Sequence, residues 1–400
     1  MNTISITFVT PWYGYFAGGA EVAGRSLAEQ LVKIGFSVQV LTTCCRCPFD
    51  NWWLNTLPAG VENINGVTVR RFSVDQQGES FYHEVNYRII NRMKVDEGHQ
   101  RQFIQNSINS KELIDYANAN TKDHLVIGMP FTQGLIYSLI QTLAGRASLL
   151  PCFHNEPQLR WITTAETLDK SQKIFFLTEE EKTLAIQHFG HRFGRKIVES
   201  PVIGVGVELP DNIQSLINEY TRKDILSKYN LPEKFFVYVG RKDIGKNILS
   251  LINYFRYYLA NDGEAILVFL GGGDTSLVPT EKGFIDLQFI PEEDKYLVIS
   301  QALGLINLSQ NESFSLVLME AWLCETPVVV HQDCEVTAGH CQKSKGGIAI
   351  SSKEEFNAAL NTLNCPDTNK KLAILGKYYV HSNYSWTSVL EHFLRELNQE

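Results

Sequence analysis

The chain has 400 residues, of which 44% are hydrophobic and 20% are charged, and its formal net charge is -8 at pH 7. Because this length exceeds that of one ordinary hydrophobic core, two globular domains are expected. The acidic balance disfavours a general nucleic-acid binder, whose phosphate-facing surface needs clustered lysine and arginine, but it leaves open a local basic pocket for a nucleotide.

The N-terminal sequence MNTISITFVTPWY predicts a first β-strand, because it lacks the basic segment and the small-residue cleavage site of a secretory signal. No apolar run is long enough to span a bilayer, and the expected compartment is the cytoplasm. Reduced thiols are expected for the eight cysteines. The clusters CCRC and HQDCEVTAGHC invite a zinc hypothesis, but neither has paired C-x-x-C spacing, so no metal site is predicted.

Strand and helix patterns alternate twice along the chain. The first succession contains the strand SITFVT, a helix VAGRSLAEQLVKI that ends at Gly35, and the strands SVQVLTT, HLVIGM, ASLLPCF and KIFFLT. The second contains the strands FFVYVG, AILVFLG, FIDLQFI, GLINLS, PVVVH and GGIAI, with helices between them. This alternation predicts two doubly wound α/β domains, with ligands at the carboxyl ends of the strands.

The predicted domain boundary lies in VIGVGVELPDN, which gives domains 1–205 and 206–382 and a closing helical segment 383–400. Residues from about 44 to 122 show little periodicity and are interpreted as an insertion on the first domain. Its Trp52 and Trp53 could stack on a sugar, but a small core of the insertion is the favoured interpretation. Arg70 and Arg71 could form a local membrane contact, although a solvated strand end is favoured.

Two candidate sites follow strands of the first half. The sequence GGAE, Gly18 to Glu21, lies between a strand and a helix, where glycine permits close approach of an anion to the main chain. Tight turns use glycine for geometry alone, and this is not the G-x-G-x-x-G of nicotinamide cofactors. His154 follows ASLLPCF and is expected at a strand end, but a lone histidine is more often structural.

Two further candidate sites follow strands of the second half. In GRKDIGKN, Arg241 and Lys246 could neutralise a diphosphate or could belong to a solvated loop. In NESFSLVLMEA, Glu312 precedes a helix and Glu320 lies within it. Ser313 or Ser315 is predicted to cap this helix, whose first N–H groups and dipole suit a phosphate. Glu320 could accept hydrogen bonds from the vicinal hydroxyls of a ribose.

These motifs together resemble the retaining glycosyltransferases of family 4. ESFSLVLMEAWLCETPVVV is similar to the E-x(7)-E segment of that family, GRKDIGKN to its G-R…K-N phosphate clamp and GGAE to its N-terminal G-G-x-E turn. VIGVGVEL resembles its interdomain N-G-V-D in degraded form, and NYSWTSVLEHFLREL resembles its closing helix. The resemblance implies a GT-B fold, in which two Rossmann-like domains face each other across a cleft that holds the active site.

The resemblance also implies roles for individual residues. Arg241 and Lys246 would hold the diphosphate of the donor and stabilise the leaving group, and Glu312 would support positive charge on the transferred sugar. Glu320 would bind the ribose and His154 the donor sugar. The main-chain amides of the remaining donor-binding residues, Gly19, Leu316 and Val317, would contact phosphate.

The chain departs from the family pattern at Ser315 and Glu325, which replace glycines, and at Val205, which replaces a linker asparagine. None of these changes removes a charged participant, so activity is expected. The sequence has no D-x-D metal–diphosphate motif, and two cations with a helix start are expected to replace a divalent metal, so no cofactor is predicted.

The predicted function is transfer of a sugar with retention from a nucleoside-diphosphate sugar to a saccharide or lipid-linked acceptor, in cell-surface polysaccharide biosynthesis. Peripheral contact with the inner membrane face is an open alternative to a purely cytoplasmic location. A sugar-nucleotide epimerase and a degenerate binding subunit remain rival interpretations. A nicotinamide oxidoreductase is disfavoured because the fingerprint glycines are missing.

Overall fold

A computed structural model describes residues 4–16, 18–219 and 222–397. The chain forms two compact units. The first contains the residues up to Gly206 together with those from Leu390 onward, and the second runs from Val207 to Val389. Both units are α/β, as the alternating patterns predicted.

The first unit is built on a six-stranded sheet. Its strands are β1 (Ser5–Val9), β2 (Val38–Thr43), β3 (Gly60–Ile64), β4 (Val67–Phe72), β5 (His124–Gly128) and β6 (Ala147–Leu149). They lie in the order β3-β4-β2-β1-β5-β6, and every neighbouring pair is parallel except β3 with β4. This is the order of a doubly wound sheet, with its switch point between β1 and β5.

Seven helices accompany this sheet among the described residues before 206. They are α1 (Gly19–Lys33), α2 (Glu79–Ile90), α3 (Glu97–Asn106), α4 (Lys111–Asn120), α5 (Gly134–Thr142), α6 (Ile162–Lys170) and α7 (Glu179–Glu199). The predicted strands ASLLPCF and KIFFLT are shorter than expected, because only single bridges, such as Leu149 with Ile174, continue the sheet beyond β6. The core between sheet and helices is built from residues such as Val126, Leu139 and Phe176, which are fully buried.

The second unit has a fully parallel sheet. Its strands are β7 (Phe235–Val239), β8 (Ile266–Leu270), β9 (Phe284–Gln288), β10 (Leu305–Asn307), β11 (Val328–His331) and β12 (Gly347–Ile350). Their order is β12-β11-β10-β7-β8-β9, so the switch point lies between β7 and β10. The strands are almost wholly apolar because helices cover both faces of such a sheet.

The helices of the second half continue the same numbering. They are α8 (Asp211–Glu219), α9 (Arg222–Tyr229), α10 (Ile248–Ala260), α11 (Glu292–Gln301), α12 (Leu316–Leu323), α13 (Glu335–Ser344), α14 (Lys353–Leu363), α15 (Pro366–Asn383) and α16 (Trp386–Leu397). The final residues of α16 belong to the first unit, where the ring of Phe393 lies 5.6 Å from that of Phe175.

The interpretation of residues 44–122 as an insertion was wrong for a large part of that segment. β4 pairs in parallel with β2 inside the main sheet, and α4 returns the chain to β5. Sequence periodicity missed β4 because VTVRRF alternates only partly and carries two arginines. Arg71 is buried instead of lying at a solvated strand end, and its guanidinium bonds the Glu62 carboxylate at 2.6 Å and the Tyr13 carbonyl at 2.9 Å.

The NWW segment packs into a small aromatic cluster, as the favoured interpretation predicted. Trp53 is buried, and its ring lies 5.4 Å from that of Tyr82, which in turn lies 4.4 Å from Phe103. No two cysteines of the described residues form a disulfide. Within the described ranges, no helix is long and apolar enough to cross a membrane.

Two non-glycine residues adopt a left-handed backbone where the resembled family has glycine. Ser315 has φ 70° and Glu325 has φ 56°. Glu325 is exposed, and its carboxylate bonds Lys377 at 2.8 Å. A residue with a Cβ in this conformation lowers the stability of the folded chain by about 1–2 kcal/mol. An exposed ion pair adds about 0–1 kcal/mol to that stability.

Replacing Glu325 with glycine is therefore expected to raise the free energy of unfolding by up to about 2 kcal/mol. Urea denaturation of wild type and Glu325→Gly measures the change. Glu325→Gln is the matched control, since it removes the ion pair and keeps the strained backbone, and it should not stabilise the chain. A destabilised Glu325→Gly variant would show that the strain at this position is relieved elsewhere.

Candidate functional site

The candidate site of the second unit lies at the switch point of its sheet. β7 and β10 are neighbouring parallel strands, with Leu305 in register with Val237. Arg241 follows the carboxyl end of β7, and Glu312 follows the carboxyl end of β10. Both loops therefore emerge at the same edge of the sheet, where doubly wound folds bind ligands.

The two loops meet through an ion pair. The Lys246 Nζ atom lies 2.8 Å from Glu312 Oε1, and neither side chain is more than about a third exposed (34% and 14%). The Nδ2 atom of Asn307, the last residue of β10, lies 3.5 Å from the same oxygen. The two residues of opposite charge that the sequence assigned to the donor are thus in direct contact.

Asp243 connects Arg241 to this pair. Its Oδ1 accepts a hydrogen bond from the main-chain N–H of Lys246 at 3.0 Å, and its Oδ2 accepts one from Arg241 Nε. Asn247, at φ 58°, ends this turn and donates from Nδ2 to the Leu308 carbonyl at 3.0 Å. The GRKDIGKN segment is therefore a structured turn tied to the β10 loop.

The buried Lys242 fixes the base of the same turn. Its Nζ atom donates to Asp286 Oδ1 at 2.9 Å and to the Gly271 carbonyl, and the side chain is fully buried. The hydroxyl of Tyr238 donates to the Arg241 carbonyl at 2.7 Å, and burial raises the pKa of Tyr238, which keeps this donor protonated. The main chain of Arg241 is held from both sides, which restricts where its guanidinium can reach.

Glu320 lies on α12 among different neighbours from Glu312. Its two carboxylate oxygens lie 3.1 and 3.2 Å from Lys295 Nζ, and Tyr296 donates to Oε1 at 3.3 Å. Burial, with the nearby negative charge of Glu320, raises the pKa of Tyr296. The ion pair and the phenol orient the carboxylate, whose oxygens can accept hydrogen bonds from hydroxyl groups.

The start of α12 differs from the prediction. Ser315 is the N-cap residue, but its side chain does not cap the helix; its Oγ accepts instead from Asn307 Nδ2 at 3.2 Å. The left-handed backbone of Ser315 turns its side chain away from the first-turn amides. Leu316 and Val317 are the first two helical residues, whose N–H groups have no acceptor within a helix.

The first unit holds the other two predicted site residues. Gly19 begins α1 after the loop that follows β1. A Cβ built on Gly19 would meet no described atom within 4 Å, so packing within the chain does not require glycine at this position. His154 is half-buried in the loop after β6, where its carbonyl accepts from the main-chain N–H of Glu156 at 2.9 Å.

A buried carboxylate anchors the loop that carries His154. Glu181, on the first turn of α7, is fully buried and accepts from the main-chain N–H groups of Phe153 and Leu177, both at 2.6 Å. Burial raises the pKa of Glu181 to about 8, although the N–H donors oppose the shift. Burial also raises the pKa of Glu156 to about 7. Glu156 belongs to the HNEP sequence and is half-buried, which only the tertiary packing shows.

Sequence analysis missed Asp243, Asn307, Lys295 and Tyr296. Asp243 could have been found, because an aspartate three residues before Lys246 is a common turn-capping position. Lys295 and Tyr296 contact Glu320 from a different helix, so the sequence holds no local signal for them. Asn307 contacts Glu312 from the end of the preceding strand, but it belongs to no recognisable motif. Among the described residues, no group of three or more histidine, cysteine, aspartate or glutamate side chains is arranged to hold a metal ion.

The two doubly wound α/β units have the GT-B fold. Solved structures of this fold cover nearly the whole chain. The sucrose-phosphate synthase of Thermosynechococcus elongatus has 16% identity and a TM-score of 0.68, with 99% of this chain and 98% of that one aligned. A trehalose-6-phosphate protein from E. coli, bound with UDP-2-fluoro glucose, has 12% identity and a TM-score of 0.73, with 99% of each chain aligned.

WaaG, a glycosyltransferase involved in lipopolysaccharide biosynthesis, has 13% identity and a TM-score of 0.64, with 96% of this chain and 98% of that one aligned. Residues 221–376 match the family model described as glycosyl transferases group 1. The Xenopus tropicalis glycosyltransferase 1 domain-containing protein 1 is 29% identical over 98 residues, which are 24% of this chain and 28% of that protein. The solved structures share the fold of the whole chain, and the family match is confined to residues 221–376.

Proposed function

We propose that the chain transfers a sugar, with retention of anomeric configuration, from a nucleoside-diphosphate sugar to a saccharide or lipid-linked acceptor. The observation that carries the proposal is the contact of Lys246 with Glu312, beside Arg241, at the switch point of the unit that matches glycosyl transferases group 1. That match also favours group transfer over the rival epimerase, which would need no acceptor.

The diphosphate of the donor is assigned to the two cations and the start of α12. The guanidinium of Arg241 offers bidentate hydrogen bonds to phosphate oxygens, and the ammonium of Lys246 offers three donors, of which Glu312 accepts one. The N–H groups of Leu316 and Val317 add the partial positive charge of a helix start. Together these groups would stabilise the negative charge that grows on the leaving diphosphate, the task that a divalent metal performs in other transferases.

The ribose is assigned to Glu320. Its carboxylate is held between Lys295 and Tyr296, so the two oxygens keep one orientation toward two vicinal hydroxyls. Glu312 is assigned to the transferred sugar, where its charge would support the positive charge that develops at the anomeric carbon. The family resemblance implies a phosphate contact for Gly19 and a donor-sugar contact for His154, and the proposal includes both. A His154→Ala variant tests the donor-sugar contact.

The reaction would break the bond between the anomeric carbon and the diphosphate oxygen and form a bond from that carbon to the acceptor oxygen on the same face. The acceptor proton would pass to the departing phosphate oxygen, so the nucleoside diphosphate would leave as its own base. We extend the proposal to a cytoplasmic location with peripheral contact at the inner membrane face, in polysaccharide biosynthesis.

If the chain binds the nucleotide part of the donor as proposed, nucleoside diphosphates should raise its melting temperature. A ligand that binds only the folded chain raises its melting temperature, so UDP or GDP at millimolar concentration should raise the Tm of the wild type. Glu320→Gln should reduce the shift, because an amide nitrogen cannot accept a ribose hydroxyl hydrogen bond.

Glu325→Gln is the matched control for charge, since Glu325 lies beyond the end of α12 and pairs with Lys377. It should keep the full nucleotide shift. No shift with any nucleoside diphosphate would contradict the donor site and support the degenerate binding subunit. A full shift in Glu320→Gln would reject only the ribose assignment.

A further inference from the structure

A solvent-open cavity of about 470 Å³ lies in the first unit, and neither Gly19 nor His154 lines it. Of the residues that line it, Arg160, His191 and Arg192 are exposed. Its walls come from α3, from α6 with the preceding turn Pro157–Arg160, and from the part of α7 before its break at Phe193. Ligand pockets of this size hold small molecules such as a phosphorylated monosaccharide. The proposed donor chemistry does not use this cavity.

The fixed charges that line the cavity are the guanidinium groups of Arg160 and Arg192, against the single carboxylate of Glu97. His188 and His191 also line it. The whole chain has a formal net charge of -8, so the positive charge of this cavity is opposite in sign to that of the molecule. Such a local excess attracts anions.

The two arginines of the cavity are not neutralised by carboxylates of the described chain. Arg160 donates to neutral oxygens, the Glu156 carbonyl at 3.4 Å and Asn155 Oδ1 at 2.5 Å. The guanidinium of Arg192 lies 4.9 Å from the centre of the Phe193 ring.

Some other arginines of the first unit are paired with acids, whereas Arg146, like Arg160, bonds a neutral asparagine oxygen. Arg101 bonds Glu166 at 2.6 Å, and Arg195, one turn after Arg192 on α7, bonds Glu199 at 2.9 Å. The cavity therefore keeps two guanidinium charges available for an external anion.

The floor of the cavity is apolar and firmly packed. Trp161, Ala165 and Phe189 are buried, and the Trp161 ring packs edge-on against Phe103 at 5.2 Å. The amide oxygen of Gln100 accepts from the Ile162 N–H at 2.9 Å, so its NH₂ group supplies the donors on that side. Burial and then the charge of Arg160 lower the pKa of His188, which favours the neutral imidazole. A neutral imidazole offers one donor and one acceptor.

We infer that this cavity binds a phosphomonoester carried by a small hydroxylated molecule. Arg160 and Arg192 would hold the phosphate dianion by bidentate contacts. The amide of Gln100 and the imidazole groups would form hydrogen bonds with the hydroxyl groups of the ligand. The apolar floor would pack against the C–H groups of a sugar ring. The phosphate could belong to a soluble sugar phosphate or to a lipid headgroup, since both present the same group.

Calorimetric titration with glucose 6-phosphate at about pH 7.5, where the phosphate is dianionic, tests the inference directly. The wild type should bind, and glucose should not. Arg160→Gln combined with Arg192→Gln should weaken binding by about ten-fold or more, the equivalent of at least one charge-assisted hydrogen bond. Glu97→Gln should tighten binding, because it removes the carboxylate that repels the phosphate.

Arg195→Gln is the matched control, because its guanidinium is exposed on the same helix and already paired. It should leave binding unchanged. If glucose 6-phosphate fails, titration with phosphatidylcholine vesicles containing phosphatidic acid tests the lipid source, with pure phosphatidylcholine as the blank. Binding there that the double variant abolishes supports the inference for a headgroup.

Failure of both probes, or equal binding by wild type and double variant, overturns the inference. None of these measurements needs a nucleotide or a transferase assay. The result is therefore independent of whether the proposed glycosyl transfer is correct.

Discussion

Replacing Arg241 with alanine is expected to lower kcat for donor turnover by about 10²–10³-fold, with a much smaller change in donor affinity. The reason is that the guanidinium opposes a charge that is largest on the departing diphosphate, after the bond to the sugar has begun to break. Turnover is measured as release of nucleoside diphosphate from the sugar nucleotide whose base stabilises the wild type most.

Arg256→Ala is the matched control for this variant, because Arg256 is an exposed arginine of the same unit that is paired with Glu281. It should keep wild-type turnover. A loss of donor affinity with unchanged kcat in Arg241→Ala would assign the arginine to ground-state binding alone. The same turnover measurement in the presence of EDTA tests the proposal that Arg241 and Lys246 replace a divalent metal. Turnover is expected to be unchanged by EDTA.

Replacing Glu181 with alanine is expected to destabilise the first unit by about 2–6 kcal/mol, because two buried N–H groups lose their acceptor. The carboxylate accepts from Phe153 and Leu177, and no water reaches a side chain that is fully buried. Hydrogen exchange at these two amides should accelerate strongly, which localises the loss to the loop that carries His154. Glu181→Gln, which keeps one acceptor oxygen, should lose less.

Glu179→Ala is the control on the same helix turn, because Glu179 is exposed, and it should change stability little. The pH dependence gives a second test. The pKa of Glu181 is raised from 4.5 to about 8, so between these values the folded chain binds more protons than the unfolded chain. The stability contribution of this group therefore falls as pH rises through that window, and Glu181→Gln should remove that component. An unchanged pH profile in Glu181→Gln would show that another group dominates.

The sequence predicted the fold class because the relevant patterns are local. Parallel strands that are covered on both faces are short apolar runs, and FFVYV and VVVH match the observed β7 and β11 closely. The same logic failed at β4, where VTVRRF contains Arg70 and Arg71. An arginine inside a sheet is tolerated only where tertiary partners exist, and for Arg71 these partners are Glu62 and the carbonyl of Tyr13.

The candidate site was found in part for a similar reason. Arg241, Lys246, Glu312 and Glu320 occupy short motifs at strand ends, and such positions follow from chain order once the strands are recognised. Asn307 and Lys295 carry no motif. Lys242 lies beside Arg241 in the sequence, yet its side chain is buried against Asp286 while Arg241 is half exposed.

By itself, the sequence determined the two α/β halves, the residue types at the ends of β7 and β10 and the spacing of the two glutamates. Only the tertiary structure decided which charges meet. Lys246 and Glu312 are 66 residues apart, and they touch because the switch in strand order places β10 next to β7. The burial of Glu181 and the unneutralised arginines of the 470 Å³ cavity likewise depend on packing between separate helices and strands. Local periodicity carries no information about such contacts, since it fixes which face of an element is buried and not what the element packs against.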